Sequence, residues 1–101
     1  MNQPTFTVVV RKDLAALVPQ FLANRQLELT ALTSALEHSD FVILKRIAHR
    51  MKGLGNSYGF SRITNLGIQI EDAAKAGKTA ELKARIAEYT EYLAKLEVRY
   101  T

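Results

Sequence analysis

A chain of 101 residues has room for one hydrophobic core, and 48 % hydrophobic with 24 % charged residues is the make-up of a folded globular domain, which excludes general disorder. Without cysteine it holds neither disulfides nor a thiolate metal site, and no apolar run nears the roughly 20 residues that cross a bilayer. The net charge of +4, from 14 Lys and Arg against 10 Asp and Glu, forms no basic stripe along one helix, so a nucleic-acid surface is not expected.

The opening MNQPTFTVVVRKD lacks the charged start and long apolar run of a secretory signal, so a cytoplasmic protein is expected, with Met1 as the natural start of a domain standing alone. Residues 1–12 include TFTVVV, a β-branched run too short for a sheet of its own, and read as an extended arm along the body. Asp13 is the cap candidate for a short extra helix carrying Leu14, Leu17 and Val18. Pro19 suits the first turn of a longer helix, striped by Leu22, Leu29, Leu32 and Leu36 and running to about His38.

Asp40 caps the next helix, where Phe41, Leu44, Ala48, Met51, Gly55 and Tyr58 recur at alternating steps of three and four. Gly59 and Phe60 break that pattern, and Ser61 is placed to cap a third helix with Ile63, Leu66, Gly67, Ile70 and Ala74 on its apolar side. Gly77 ends it in the left-handed conformation that glycine tolerates. Thr79 is the cap candidate for a last helix, striped by Leu82, Ile86, Tyr89, Leu93, Leu96 and Tyr100. Four amphipathic helices with short connections predict an all-α domain over residues 1–101, an antiparallel up-down four-helix bundle.

The charge excess gathers in Lys45, Arg46, Arg50, Lys52 and Arg62, around His49. With the apolar stripe turned inward, Lys45, His49, Lys52 and Asn56 share a neighbouring stripe closer to water. His49, Lys52 and Gly53 are then i, i+3 and i+4 neighbours, roughly 5–6 Å apart where a Cβ exists. A helix glycine costs about 1 kcal/mol relative to alanine, so each one calls for a reason. Gly55 faces inward and can admit the third helix closely, whereas Gly53 faces outward and clears space beside the imidazole. A neutral histidine offers a nucleophilic nitrogen and the lysine a fixed cation, a pairing suited to accepting a phosphoryl group. A histidine and a lysine on a helix are also ordinary surface residues, and His38, near a helix end with no such company, is read that way.

The run His49-Arg50-Met51-Lys52-Gly53, then Gly59 ten residues after the histidine, then Leu66 and the pair Ile70-Glu71, resembles the histidine-containing phosphotransfer (HPt) domain. That pattern is H-x-L-K-G, a glycine six residues further on, and a helix ending in an L-E pair. The resemblance implies that His49 is the phosphoacceptor, reacting at Nε2, with Lys52 beside the phosphate, Gly53 giving a partner access and Gly59 at the junction with the next helix. Glu71 falls at the position that orients the imidazole in some members; a carboxylate accepting from Nδ1–H would leave Nε2 unprotonated. Met51 stands for the usual leucine, and Leu54 and Gly55 stand where many members have serines, leaving Asn56 or Ser57 as substitutes for a hydroxyl contact.

The function expected is that of a phosphorelay intermediate. It would take a phosphoryl group from a receiver-domain aspartate onto His49 and pass it to another receiver, of a response regulator or hybrid kinase. No glycine-rich nucleotide loop is present, so autonomous kinase activity is not expected. Neither is a cofactor on this chain; the Mg²⁺ implied by the resemblance belongs to the receiver. A monomer without membrane or nucleic-acid partners completes the reading. The alternative is a helical docking module without chemistry, using the exposed side of the second helix with Phe60 at its rim.

Overall fold

Asp40 accepts a hydrogen bond from the backbone N–H of Ile43, and the helix it caps is one of four in the computed structural model, which describes residues 5–101. These are α1 (Val18–Glu37), α2 (Phe41–Leu54), α3 (Ser61–Lys75) and α4 (Thr79–Ala94). Two short strands flank them, β1 (Phe6–Val10) and β2 (Leu96–Tyr100), paired in parallel from Phe6↔Leu96 to Val10↔Tyr100. The fold is therefore mostly helical but not all-α. The part of the predicted arm over residues 1–4 lies outside the described residues.

The strand pair corrects two expectations. TFTVVV makes its sheet with the other end of the chain, so the arm is a strand from Phe6 onward. The last helix stops at Ala94, and Leu96 and Tyr100 leave its stripe. LEVRY fits both periods: steps of four join Leu96 to Tyr100 in a helix, while alternation puts half-buried Leu96 and Val98 on one side and exposed Glu97 and Arg99 on the other. A partner strand whose Phe6, Val8 and Val10 pack on the core decides for the second.

Three caps also differ. Asp13 sits inside a single 3₁₀ turn, Lys12–Leu14, where Arg11 Nε donates to its carboxylate at 3.1 Å, so the short extra helix is not formed. Phe60 and Lys78 occupy the N-cap positions assigned to Ser61 and Thr79, which are instead the first residues of α3 and α4. Pro19 does lie in the first turn of α1, and Gly77 (φ +65°) follows α3 as expected, with Lys78 N–H donating to Ala73 O at 2.9 Å.

α2 ends at Leu54, four residues before the predicted Tyr58. A 3₁₀ turn, Asn56–Tyr58, follows, and Gly59 at φ +88° turns the chain into α3. The turn is held from inside: Phe60 is fully buried and, like Tyr58, stacks on Phe21, at 5.2 and 4.3 Å between centroids.

The core gathers Leu32, Leu44, Met51, Ile63, Ile70, Leu82 and Tyr89 from all four helices, with Phe60 from the turn before α3, each with no exposed surface. Its closest seam is between α2 and α3. A methyl group on Gly55 would fall 2.5 Å from Thr64 N, and one on Gly67 would fall 2.6 Å from Lys52 N and 2.8 Å from Ala48 O. The buried side of α1 also carries charge. Arg25 Nε stands 3.2 Å from Glu28 Oε1, and Tyr89 Oη donates to the same oxygen at 2.9 Å.

Tyr92, also buried, has no partner for its hydroxyl among the described residues, and burial pushes that phenol up to about 12. An unfolded tyrosine ionises near 10, so this contribution to stability is complete below about pH 10 and is lost as pH rises towards 12. Replacing Tyr92 with Phe should leave stability at neutral pH equal or higher and flatten the loss between about pH 10 and 12 in denaturant titrations. Tyr89→Phe, which strips the donor from Glu28, should cost about 1–3 kcal/mol in the same measurement.

Candidate functional site

The most exposed stripe of α2 is set by its most buried one. Leu44, Ile47, Ala48 and Met51 turn inward, which sends His49 and Gly53 to the opposite side. The His49 side chain is 68 % exposed, Lys52 is half-buried, and a methyl group on Gly53 would meet nothing within 4 Å. The predicted notch is open, and glycine at 53 serves no packing contact.

From the facing helix, Gly67 sets the geometry. Its bare backbone rests on Ala48, Met51 and Lys52, and one turn further along α3 comes Glu71. The Glu71 carboxylate, 10 % exposed, bridges two groups of α2: Oε2 lies 3.0 Å from His49 Nδ1, and Oε1 accepts from Lys52 Nζ at 2.9 Å. The hydrogen bond from Lys52, above all, holds this carboxyl below the usual carboxylate range; burial opposes it and the His49 contact adds to the lowering. An ionised carboxylate only accepts, so Nδ1 carries the hydrogen. In the neutral ring the lone pair then resides on Nε2. The arrangement offers a nucleophilic nitrogen at the surface, a cation one turn away and an unobstructed approach.

The other predicted residues are distributed as follows. Gly59 sits at the α2–α3 junction. Of the charge cluster, Lys45, Arg46 and Lys52 share the histidine's side of α2, while Arg50 borders the groove with Asn24, Leu27 and Glu28 of α1. Arg62 leaves the cluster altogether, its guanidinium lying 4.8 Å over the Phe6 ring and 5.9 Å over that of Tyr92. Phe60, expected at the rim of a docking surface, is in the core, because it closes the turn before α3. The exposed apolar residue on the histidine's side is Val42, two turns earlier on α2 and 61 % exposed. Ser57 Oγ donates back to Gly53 O at 3.3 Å, and the Asn56 amide is held by Thr64 Oγ1. His38 is exposed and its Nδ1 lies 2.8 Å from Ser34 O, one turn back. Among the described residues, no three His, Asp or Glu side chains converge as metal ligands would, and no helix is long and apolar enough to cross a membrane.

Gly67 is the residue whose part in the site the sequence reading missed. The signal was available: a glycine inside an amphipathic helix, on its inward side, one turn before the candidate carboxylate.

Among known proteins, the model of the Hpt domain family matches residues 16–98. Neither the curated proteins nor the solved structures contain a match.

The two helix glycines should respond oppositely to alanine. Gly67→Ala forces a methyl into backbone atoms that cannot yield and should cost about 1–3 kcal/mol, whereas Gly53→Ala should gain up to about 1 kcal/mol; urea midpoints read both. The depressed Glu71 pKa means that its contribution to stability is complete above the ordinary value of about 4.3 and lost as pH falls through the folded value. Stability followed from neutral pH into acid should therefore fall less steeply in Glu71→Gln than in the parent.

Proposed function

The chain belongs to the Hpt-domain family, whose members pass phosphoryl groups in two-component signalling through a phosphorylatable histidine, and we propose that it serves as a phosphorelay intermediate with His49 as the acceptor. In this reading residues 1–101 are one cytoplasmic, monomeric domain. Its four helices run as an antiparallel up-down bundle, the order favoured by connections of three, six and three residues.

The phosphoryl group comes from the aspartyl phosphate of a receiver domain. The Nε2 lone pair of His49 attacks phosphorus in line, a P–N bond forms, and the P–O bond to the aspartyl carboxylate breaks. Glu71 keeps the proton on Nδ1 and the ring in one orientation, so the charge that builds on the imidazole during attack has a fixed counter-charge. Lys52 neutralises the equatorial phosphoryl oxygens, and Gly53 leaves room for the receiver's loops around its aspartate. The Mg²⁺ belongs to the receiver, and this chain binds no cofactor of its own. Passing the group to a second receiver reverses the same step.

The observation that carries the reading is the two-point bridge from Glu71 to His49 Nδ1 and Lys52 Nζ beside an open glycine. Exposure to a phosphorylated receiver should place acid-labile phosphate on the protein. His49→Gln should abolish that label, and Lys52→Ala should slow its appearance by about tenfold or more. Label that persists in His49→Gln overturns the assignment. Receiver binding that survives His49→Gln, with no transfer by the parent, would indicate a docking module instead.

A further inference from the structure

Among the described residues, β1 has a strand partner on one side only. Phe6 N–H donates to Lys95 O at 3.0 Å, and Thr101 N–H donates to Val10 O at 3.1 Å. In a parallel ladder alternate residues turn both backbone groups to the same side, so Phe6, Val8 and Val10 face β2. The N–H and C=O of Thr7 and Val9 point to the opposite edge, where they have no hydrogen-bond partner among the described residues. This edge is uncharged and β-branched, the kind that templates another strand unless something covers it.

A groove of about 470 Å³ runs along that edge, with residues 5–9 on one wall and Gly59, Ser61, Arg62 and the Tyr92 ring on the other. It is shaped by a strand rather than by a ligand-sized cup: consecutive residues of β1 line its length. A methyl group at position 59 would stand 3.7 Å from Val9 O, an ordinary van der Waals contact, so the turn into α3 runs beside that carbonyl. The wall is positive. Arg62 is exposed, has its guanidinium over the rings of Phe6 and Tyr92, and forms no ion pair with a carboxylate among the described residues. Ser61 and Arg62 also form the first turn of α3, the positive end of a 15-residue helix.

We propose that the free edge of β1 takes up an extended acidic peptide segment of a partner protein as a third strand. The segment's backbone pairs with the outward groups of Thr7 and Val9, and its carboxylates meet Arg62. A second copy of this chain answers the same edge poorly. It would bring another uncharged TFTVVV and another Arg62, leaving both guanidinium groups without an anion on a chain of net charge +4. The groove is separate from the histidine: Arg62 and Glu71 are nine residues apart on α3, about 13 Å of helix rise.

The test uses a capped pentapeptide alternating glutamate and valine, with a lysine-for-glutamate counterpart, titrated into the full chain and followed by amide NMR shifts. The glutamate peptide should shift the amides of Thr7, Val9, Ser61 and Arg62. Arg62→Gln should weaken it roughly two- to fivefold, the size of an exposed ion pair. Val9→Pro deletes an outward N–H without touching the ladder to β2, so it should keep the parent's thermal midpoint yet weaken the peptide roughly tenfold. No shifts with the parent, equal binding of the lysine peptide, shifts confined to α2 around His49, or a concentration-dependent dimer that Val9→Pro dissolves would each overturn the proposal.

Discussion

A carboxylate that is nine-tenths removed from water, yet ionised, must find a counter-charge and donors within reach, and Glu71 finds the Lys52 ammonium and the His49 Nδ1–H on α2. The contact depends on how near α3 lies to α2, and that distance is set where Gly67 rests on the backbone of Ala48 and Lys52. One missing side chain thus brings a charged group across the seam between two helices. The exposed imidazole and the half-exposed ammonium are then positioned from below, by a group that solvent barely reaches. Two mobile surface side chains become a fixed pair without being buried themselves.

A second buried ionic cluster shows the same principle without a reactive group. Glu28 is pushed up by burial, with Arg25 opposing, and the Tyr89 hydroxyl completes its bonding across the core from α4. Arg25 in turn lies 4.6 Å over the Phe21 ring, whose other neighbours, Tyr58 and Phe60, close the turn that leads into α3. Each charge in the interior is met by an opposite charge or a donor before it is enclosed. The two clusters differ in access: the groups bonded to Glu28, Arg25 and Tyr89, are buried, whereas Glu71 extends its influence to the surface.

The strand pair ties the first and last described segments of the chain together. β1 contributes Phe6 and Val8 to the edge of the core and Phe6 to the Arg62–Tyr92 stack, so the end of the helical body carrying Gly59 and Ser61 is also the end where the strands lie. The histidine face stays clear of them. A small domain therefore presents two chemically different surfaces: a polar helix face with an exposed imidazole, and a β-edge beside the Arg62 guanidinium.

The stripes of Leu44, Ala48 and Met51 and of Ile63, Leu66 and Ile70 each match one face of a helix, and the spacing of His49, Lys52 and Gly53 needs only helical geometry to become a surface site. The sequence by itself determined these, together with the Asp40 cap and the ending at Gly77, because each depends on residues within one or two turns. Nothing local announces that Arg25 and Glu28, on α1, are buried with their partners in the core. LEVRY satisfied helix and strand alike until TFTVVV, some ninety residues earlier, supplied a ladder. Only the tertiary structure decided that Glu71 reaches both His49 and Lys52, that Arg62 stacks on Phe6, and that Phe60 is inside. Those outcomes turn on distances between elements remote in the chain, and such distances follow from packing rather than from periodicity.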